Sequence, residues 1–432
     1  MTNRLYKRLL AGMGANSLGM AITIGIQLVS LPLFLAHWDA ATYGSWLLIS
    51  ALPAYLSMAD VGMVAAAGNR MIMAVGAGKA ASANGIFQSA QVFMACVCLG
   101  LAVIACPIIW WSPWPQGATD DQRLALMAMS IGVLIALFGG LSEQVFKATQ
   151  RYATGTLFAN LIRVSEWIGS MVGLVLIGSF TAVAFGGLGL RLVGTLVVMV
   201  MARKGGHGMT WGFRHSSSEA IRQMLKPAFA FMALPLASAL SLQGVTLLVG
   251  ILLGPVAVAV FNTYRTLARI AVQATAIFSF ALWPEFARLF GEGAHSALRQ
   301  LAIRSAVLSA VQAVLLSAVL YMFAPWLLRV WTHSQIGFEP LVFGVLMTYA
   351  SMAGIWHVPK VLLMATNLHG ELAIWSVLVG ALSVVLAWLL GRHMGLVGVS
   401  NAMLVSEALI AIICVWIAWR TVLAHTEKIA TR

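Results

Sequence analysis

Five basic and four acidic side chains lie inside long apolar stretches of this sequence. The basic set is Arg163, Arg191, Arg265, Arg269 and Lys360, and the acidic set is Asp60, Glu143, Glu166 and Glu407. A charged side chain at the centre of a bilayer costs about 2.5–3.5 kcal/mol on insertion scales, so each must face a partner, a cavity or water. Arginines placed in this way can hold an anion, and carboxylates can take up a proton or hold a sodium ion.

Arg265 and Arg269 are the first candidates for binding a substrate. They are four residues apart and therefore share one face of a helix, and neither has an acid within four residues in the sequence. Two stacked cations of this kind require an anion, supplied by another helix or by a substrate. We favour the substrate; the alternative is a structural ion pair with Glu407 or Asp60.

Arg163 and Arg191 are the second candidates. Arg163 and Glu166 are three residues apart, so a local salt bridge on one helix is the leading expectation for them. Arg191 lies close to four glycines, and such small residues leave room for a neighbouring helix or a cavity. These glycines are Gly186, Gly187, Gly189 and Gly194.

The acidic residues are candidates for taking up a proton or holding a sodium ion. Asp60, Glu166 and Glu407 are the candidate ion-coupling residues. For Asp60, a hydrogen bond between helices is an equally good account. Lys360 and Glu143 lie near predicted span ends, where extension of the side chain to the membrane interface explains them best.

Neutral polar residues complete the candidate site. Gln27 in the first apolar stretch and Gln243 in the seventh are predicted to line an aqueous cavity, although interhelical hydrogen bonds are the commoner use of such side chains. No nucleotide-binding, serine-hydrolase or zinc-protease motif occurs, so no enzyme activity and no cofactor are expected. The four cysteines lie in apolar segments without ligand spacing, which predicts no metal site.

Composition explains why these charges lie in membrane spans. Hydrophobic residues make up 61% of the 432 residues and charged residues 9%, against about 25% charge in soluble domains. The net charge of +13 is distributed between apolar runs, so a nucleic-acid partner is not expected. Since a span needs about 20 apolar residues, we predict twelve transmembrane helices, at 12–36, 45–66, 83–108, 122–146, 153–178, 182–202, 227–253, 256–284, 304–327, 341–365, 371–390 and 397–420.

The distribution of Lys and Arg predicts the orientation. If the N-terminus is cytosolic, 18 of the 26 basic residues lie on the inner side and three on the outer side, which satisfies the positive-inside rule and makes both termini cytosolic. The polar segment 203–226 is rich in Gly and Ser and divides the chain into two similar halves. Short matches between the halves, such as Gln27 with Gln243, predict a six-helix lobe at 1–202, a cytosolic linker at 203–226 and a second lobe at 227–432.

Several stretches resemble polysaccharide flippases of the Wzx type, within the multidrug/oligosaccharidyl-lipid/polysaccharide exporter superfamily. YGSWLLISALPAYLSMADVGM (Tyr43–Met63) is similar to helix 2 of those proteins, and WPEFARLFGEG (Trp283–Gly293) to the exit of helix 8. LLMATNLHGELA (Leu362–Ala373) and GLVGVSNAMLVSE (Gly395–Glu407) resemble the turn between helices 10 and 11 and helix 12.

The resemblance implies an all-α fold of two six-helix lobes around a central cavity, located in the bacterial inner membrane. It implies alternating access and, as cargo, an oligosaccharide linked to undecaprenyl pyrophosphate. A glycan polymerase and export machinery are implied partners, together with membrane lipid. The alternatives are a cation-coupled multidrug exporter of the same superfamily and a membrane enzyme acting on lipid-linked sugars.

Overall fold

The computed structural model describes residues 2–111, 118–205, 208–366 and 368–423. Within these ranges the chain is helical and contains no β-strand. The helices are α1 (Thr2–His37), α2 (Ala40–Leu56), α3 (Met63–Gly76), α4 (Ala80–Trp111), α5 (Asp120–Ala148), α6 (Tyr152–Leu176), α7 (Phe180–Gly205), α8 (Ser218–Ala239), α9 (Val245–Leu253), α10 (Pro255–Ala281), α11 (Trp283–Gly291), α12 (His295–Trp331), α13 (Pro340–Ala365) and α14 (Gly370–Ala418). Two π-helical turns, Leu240–Gly244 and Trp419–Leu423, continue α8 and α14.

The predicted all-α membrane architecture is confirmed. Helices lie at all twelve predicted spans, and nine of the described helices are long and apolar enough to cross a membrane. The difference between twelve and nine has three causes. The second predicted span is broken between α2 and α3, α10 is more polar because it carries arginines, and two predicted spans are merged in α14.

The long helix α14 is in fact two helices that fold back on each other at Gly395. Its φ of 57° and ψ of −138° are not helical and suit only glycine. A Cβ placed on Gly391 would lie 3.0 Å from Cγ2 of Val399, so residues eight apart are in contact. Eight residues of continuous helix would span about 12 Å. The eleventh and twelfth predicted spans are therefore separate, as expected.

The chain forms two compact units. Unit 1 comprises Met1–Trp38 and Ile49–Pro235, and unit 2 comprises Asp39–Leu48 and Leu236–Arg432. The start of α2 belongs to unit 2 because Gly44 packs directly against the backbone of Pro255, where a side chain would not fit. Whether the two units are copies of one six-helix lobe stays a prediction.

The polar segment between α7 and α8 is bound tightly to α4 in unit 1. Side chains near the start of α4 hold its backbone: Asn84 accepts from the Thr210 amide at 2.8 Å, Gln88 accepts from the His215 amide at 2.7 Å, and Ser89 accepts from the Ser217 amide at 2.9 Å. Trp211 packs edge-on against Phe87 of α4, with ring centroids 5.1 Å apart. The Gly- and Ser-rich composition of the segment did not predict this packing, because the side chains that hold its backbone lie on α4.

Helices α6 and α7 cross at backbone contact. Gly169 of α6 faces the backbone of Gly186 of α7, and Gly173 faces the backbone of Ala182. No Cβ fits at either glycine without displacing the partner helix. Small residues allow this close approach in membrane helices. The approach brings the adjacent turns of α6 and α7, which carry Glu166 and Arg191, within reach of each other.

Candidate functional site

A polar cavity of about 160 Å³ lies within unit 1, between α5, α6 and α7. Its charged lining residues are Glu143 of α5, Arg163 of α6 and Arg191 of α7, and Thr195 adds a hydroxyl. Gly139 and Gly140 of α5 provide part of the space. The cavity therefore brings together two of the four arginines that the sequence singled out.

Arg191 pairs with Glu166, and this pairing corrects the sequence analysis. A guanidinium nitrogen, Nη2, of Arg191 donates to Oε2 of Glu166 across the α6–α7 crossing. The predicted local salt bridge between Arg163 and Glu166 is therefore wrong. The close glycine contact between the helices brings Arg191 nearer to the carboxylate than the residue on the same helix, which spacing along one helix could not reveal.

Arg163 is exposed and has a neutral partner. Its Nη1 donates to the Thr23 hydroxyl of α1 at 2.9 Å, and no ion pair to a described residue holds it. A single neutral hydrogen bond leaves most of the five donors of a guanidinium available to an anion. Arg163 thus keeps its predicted place as a candidate substrate contact.

Glu143 is the cavity residue that sequence reasoning placed elsewhere. It was expected to extend to the membrane interface, but it is half-buried and lines the cavity with the two arginines. The sequence carried a usable signal, because Gly139 and Gly140 lie one turn earlier on the same helix. Paired glycines beside an acid in a span mark a place where a neighbouring helix or a cavity can come close.

Arg265 is a buried cation with neutral partners. Only 5% of the residue is exposed. Its Nη1 donates to the Leu242 carbonyl at 2.7 Å, and its Nη2 donates to the Thr246 hydroxyl at 2.7 Å and to the Asn262 side-chain oxygen. The guanidinium also lies 5.2 Å from the ring centroid of Phe261. The alternative of an ion pair with Glu407 or Asp60 is not seen among the described residues.

The π-helical turn explains why Arg265 finds an acceptor in a helix. A π-turn disturbs the regular hydrogen-bond ladder, and such turns are frequent at functional sites. Leu242 lies in this turn, and its carbonyl accepts from Arg265 and from the Thr246 hydroxyl. Gln243, the predicted counterpart of Gln27 in the second half of the chain, is the next residue of the same turn and is half-buried. No sequence pattern predicts a π-turn here.

Arg269 differs from Arg265 in having no hydrogen bond or ion pair with a described residue. It is half-buried, one helical turn further along α10. Tyr349 of α13 lies within electrostatic range of both arginines and of Glu407. The two arginines, which share one predicted role, therefore have different surroundings. Arg265 is held by three hydrogen bonds, and the guanidinium of Arg269 is available to bind a ligand.

Glu407 belongs to a separate cluster between α13 and α14. Trp356 Nε1 donates to Glu407 Oε1 at 2.7 Å, and the Lys360 ammonium lies 5.1 Å from the Trp356 ring centroid. Lys360 is half-buried inside the unit, contrary to the expected extension to the interface. The carboxylate, the indole and the ammonium thus form one half-buried polar group in unit 2, and its part in ion coupling stays a prediction.

Asp60 lies in the break between α2 and α3. Its Oδ1 accepts from the Gly62 amide at 3.0 Å and its Oδ2 from the Val64 amide at 3.4 Å, which satisfies amides at the start of α3. Val61 and Gly62 have positive φ values of 51° and 78°, and a β-branched residue in that region is strained. The carboxylate thus holds an irregular turn together, which the sequence reading did not foresee.

Two substitutions separate the structural role of Asp60 from ion coupling. Asp60→Ala removes both acceptors and is expected to lower the free energy of unfolding by about 1 kcal/mol. Asp60→Asn keeps an acceptor oxygen but cannot change charge, so the protein stays folded and loses dependence on the ion gradient. Thermal unfolding and gradient-driven uptake into vesicles measure the two effects. Full gradient dependence of Asp60→Asn would reject the coupling role.

The side-chain oxygen of Gln27 has no hydrogen-bond donor among the described residues. The residue is half-buried in α1, and its Oε1 is shielded from solvent. A shielded polar atom without a partner costs about 1–3 kcal/mol unless water or a ligand satisfies it. This supports the predicted place of Gln27 in a polar environment and does not identify what satisfies it.

Comparison with known proteins shows the fold. No family model and no curated protein matches the sequence. An inward-facing multidrug resistance MATE family transporter of the MOP superfamily aligns over 94% of this chain and 96% of its own, with a TM-score of 0.77 and 13% identity. A MOP superfamily transporter from Pyrococcus furiosus, described by the reverse polarity of its binding pocket, aligns over 96% and 94% with a TM-score of 0.65 and 13% identity.

An outward-facing multidrug resistance MATE family transporter of the MOP superfamily also aligns, over 96% of this chain and 94% of its own, with a TM-score of 0.61 and 14% identity. At these identities the likeness establishes the fold, which is that of MATE transporters in the MOP superfamily. The superfamily that the sequence resemblance implies stays a prediction. The finer resemblance to Wzx-type flippases is not tested by these structures.

Proposed function

We propose that this protein is a multi-pass transporter of the bacterial inner membrane that works by alternating access. Proteins of this fold have been seen in inward-facing and outward-facing conformations, so the fold supports the two states that the mechanism needs. The transporter needs no cofactor and catalyses no covalent reaction. Both termini lie in the cytosol, as the distribution of basic residues indicates.

The cargo that we propose is an oligosaccharide linked to undecaprenyl pyrophosphate, moved from the cytosolic to the periplasmic leaflet. The observation that carries this proposal is the cavity in unit 1, in which two arginines lie inside membrane-spanning helices with one acid. A planar guanidinium matches the oxygens of a phosphate in a bidentate manner. Arg269 in unit 2, which no described acid pairs, is a separate candidate contact for an anion.

A cation-coupled multidrug exporter is the second candidate, because solved structures of this fold include multidrug resistance transporters. An exporter of cationic compounds needs carboxylates that face its cargo. In unit 1, Glu166 is occupied by Arg191 and Glu143 shares the cavity with two arginines. Because Glu166 does not line the cavity, the lining itself carries two cations against one carboxylate, which favours an anionic cargo.

A deletion strain tests the choice between these candidates. Loss of the flippase is expected to leave lipid-linked oligosaccharide on the cytosolic leaflet and to deplete surface polysaccharide, with plasmid-borne wild-type protein restoring both. The measurement is mass spectrometry of extracted lipid-linked sugars together with their accessibility to an added glycosidase. Unchanged glycolipid combined with increased sensitivity to cationic drugs would favour the exporter instead.

A further inference from the structure

The ion pair of Arg191 and Glu166 lies at the edge of the cavity, with Arg191 in its lining. Arg191 lines the cavity, and its Nη2 is bonded to Glu166, which does not line it. Side-chain exposure is 21% for Arg191 and 31% for Glu166, so neither group is sealed off. The same guanidinium therefore contacts both the cavity and a carboxylate behind it.

Arg191 is also incompletely satisfied. Its Nε is shielded from solvent and has no hydrogen-bond partner among the described residues. A guanidinium has five donors in a fixed fork, and Glu166 takes one of them through Nη2. Glu166 therefore holds this guanidinium only in part, so Arg191 is able to change partner.

The charges around the cavity are balanced before any ligand arrives. Arg163 and Arg191 carry two positive charges, and Glu143 and Glu166 carry two negative charges. An anion that enters this site must therefore bind against a carboxylate that already occupies Arg191. Electrostatic interactions of this kind are strong in the low-dielectric interior of a membrane protein.

We infer that Glu166 is an internal competitor that occupies Arg191 in place of a pyrophosphate group and must be displaced when the anionic cargo binds. This inference rests on the proposed function, because it requires an anionic cargo. It assigns Glu166 a part in setting the affinity of the site, and it makes the α6–α7 pair the element that changes partner. Weakened binding of the cargo at rest also helps its release after translocation.

Competition predicts a gain of affinity where a purely structural salt bridge predicts a loss. The probe is farnesyl pyrophosphate, titrated into the full-length protein in detergent by isothermal calorimetry. Glu166→Gln is expected to bind it about tenfold more tightly than wild type, equivalent to about 1.4 kcal/mol. Arg191→Gln is expected to bind about tenfold more weakly, and Glu166→Gln/Arg191→Gln no more tightly than Arg191→Gln alone.

A matched control is available in unit 2. Arg420 pairs with Glu371 at 2.5 Å, and neither residue lines the cavity. Glu371→Gln therefore makes the same change of charge in another ion pair and is expected to leave affinity unchanged. If Glu166→Gln does not fold, Glu166→Asp serves the same purpose, since the shorter side chain withdraws from Arg191 and should also raise affinity.

The possible outcomes distinguish failure of the competition from failure of the proposed function. Suppose that wild type binds farnesyl pyrophosphate and that folded Glu166→Gln or Glu166→Asp binds it no more tightly. That result would overturn the competition and leave the proposed function standing. An equal gain in Glu371→Gln would also overturn it, because the effect would then come from net charge alone. No binding of farnesyl pyrophosphate by any variant would contradict the proposed anionic cargo and the competition together.

Discussion

Replacing Arg265 by Ala is expected to lower the free energy of unfolding by about 3 kcal/mol, whereas Arg269→Ala should leave it nearly unchanged. Arg265 satisfies three neutral acceptors in unit 2 and is buried. Its removal takes the donor from the Thr246 hydroxyl and the Asn262 side-chain oxygen, while the Leu242 carbonyl keeps the Thr246 hydroxyl as donor. Each group left without a donor costs about 1–3 kcal/mol where it stays buried, less what is recovered by removing an unpaired charge. Arg269 has no such partners among the described residues, so its loss leaves no acceptor empty.

Thermal unfolding in detergent measures this contrast, with transport of the lipid-linked cargo as the second readout. Arg265→Ala should unfold several degrees below wild type, and Arg269→Ala should unfold with wild type but transport less. Arg265→Lys is a useful intermediate, because an ammonium keeps the charge but not the fork of donors. If the two Ala substitutions lowered the unfolding temperature equally, the hydrogen bonds of Arg265 would not contribute to the free energy of unfolding.

Removing both arginines from the cavity in unit 1 should have the largest effect on transport. Arg163→Gln/Arg191→Gln is expected to reduce cargo translocation at least about hundredfold. Hydrogen bonds to charged groups contribute about 1.5–3 kcal/mol each, and about 1.4 kcal/mol corresponds to a factor of ten. Surface polysaccharide in a complemented deletion strain measures the loss, and membrane-inserted protein is quantified in parallel.

This double substitution leaves Glu166 without its cation, so a fold control is needed. Adding Glu166→Gln removes the unpaired carboxylate and should restore the unfolding temperature without restoring transport. Arg420→Gln, which disrupts the ion pair with Glu371 outside the cavity, should export normally. Normal polysaccharide in the Arg163→Gln/Arg191→Gln strain, with the protein present at wild-type levels, would remove the cavity from the mechanism.

The helices could be predicted from sequence because they depend on local composition. Runs of about 20 apolar residues define spans regardless of what packs against them, and the reversal at Gly395 was anticipated by a turn between two such runs. The broken second span was not anticipated. The break depends on the positive φ values of Val61 and Gly62 and on the capping carboxylate of Asp60. The apolar run of the sequence continues across these residues, so it predicts one unbroken helix.

The partners of the charged residues could be predicted less well, since they depend on contacts between helices. Glu166 pairs with Arg191 and not with Arg163, because glycines bring α6 and α7 to backbone contact. Arg265 finds the Leu242 carbonyl because a π-turn presents it. Neither contact leaves a periodic trace in the sequence. The sequence therefore locates the charged residues along the chain, while the pairs among them required the structure.

The most direct test of the account is translocation by purified protein in vesicles. Proteoliposomes carry fluorescently labelled, undecaprenyl-pyrophosphate-linked oligosaccharide in both leaflets, and an impermeant reductant quenches the outer label. Wild-type protein is expected to make nearly all of the label accessible within minutes, while vesicles with Arg163→Gln/Arg191→Gln stop at about the outer half, like protein-free vesicles. If wild-type vesicles also stop at half, under an imposed proton or sodium gradient of either direction, this protein does not translocate lipid-linked oligosaccharide.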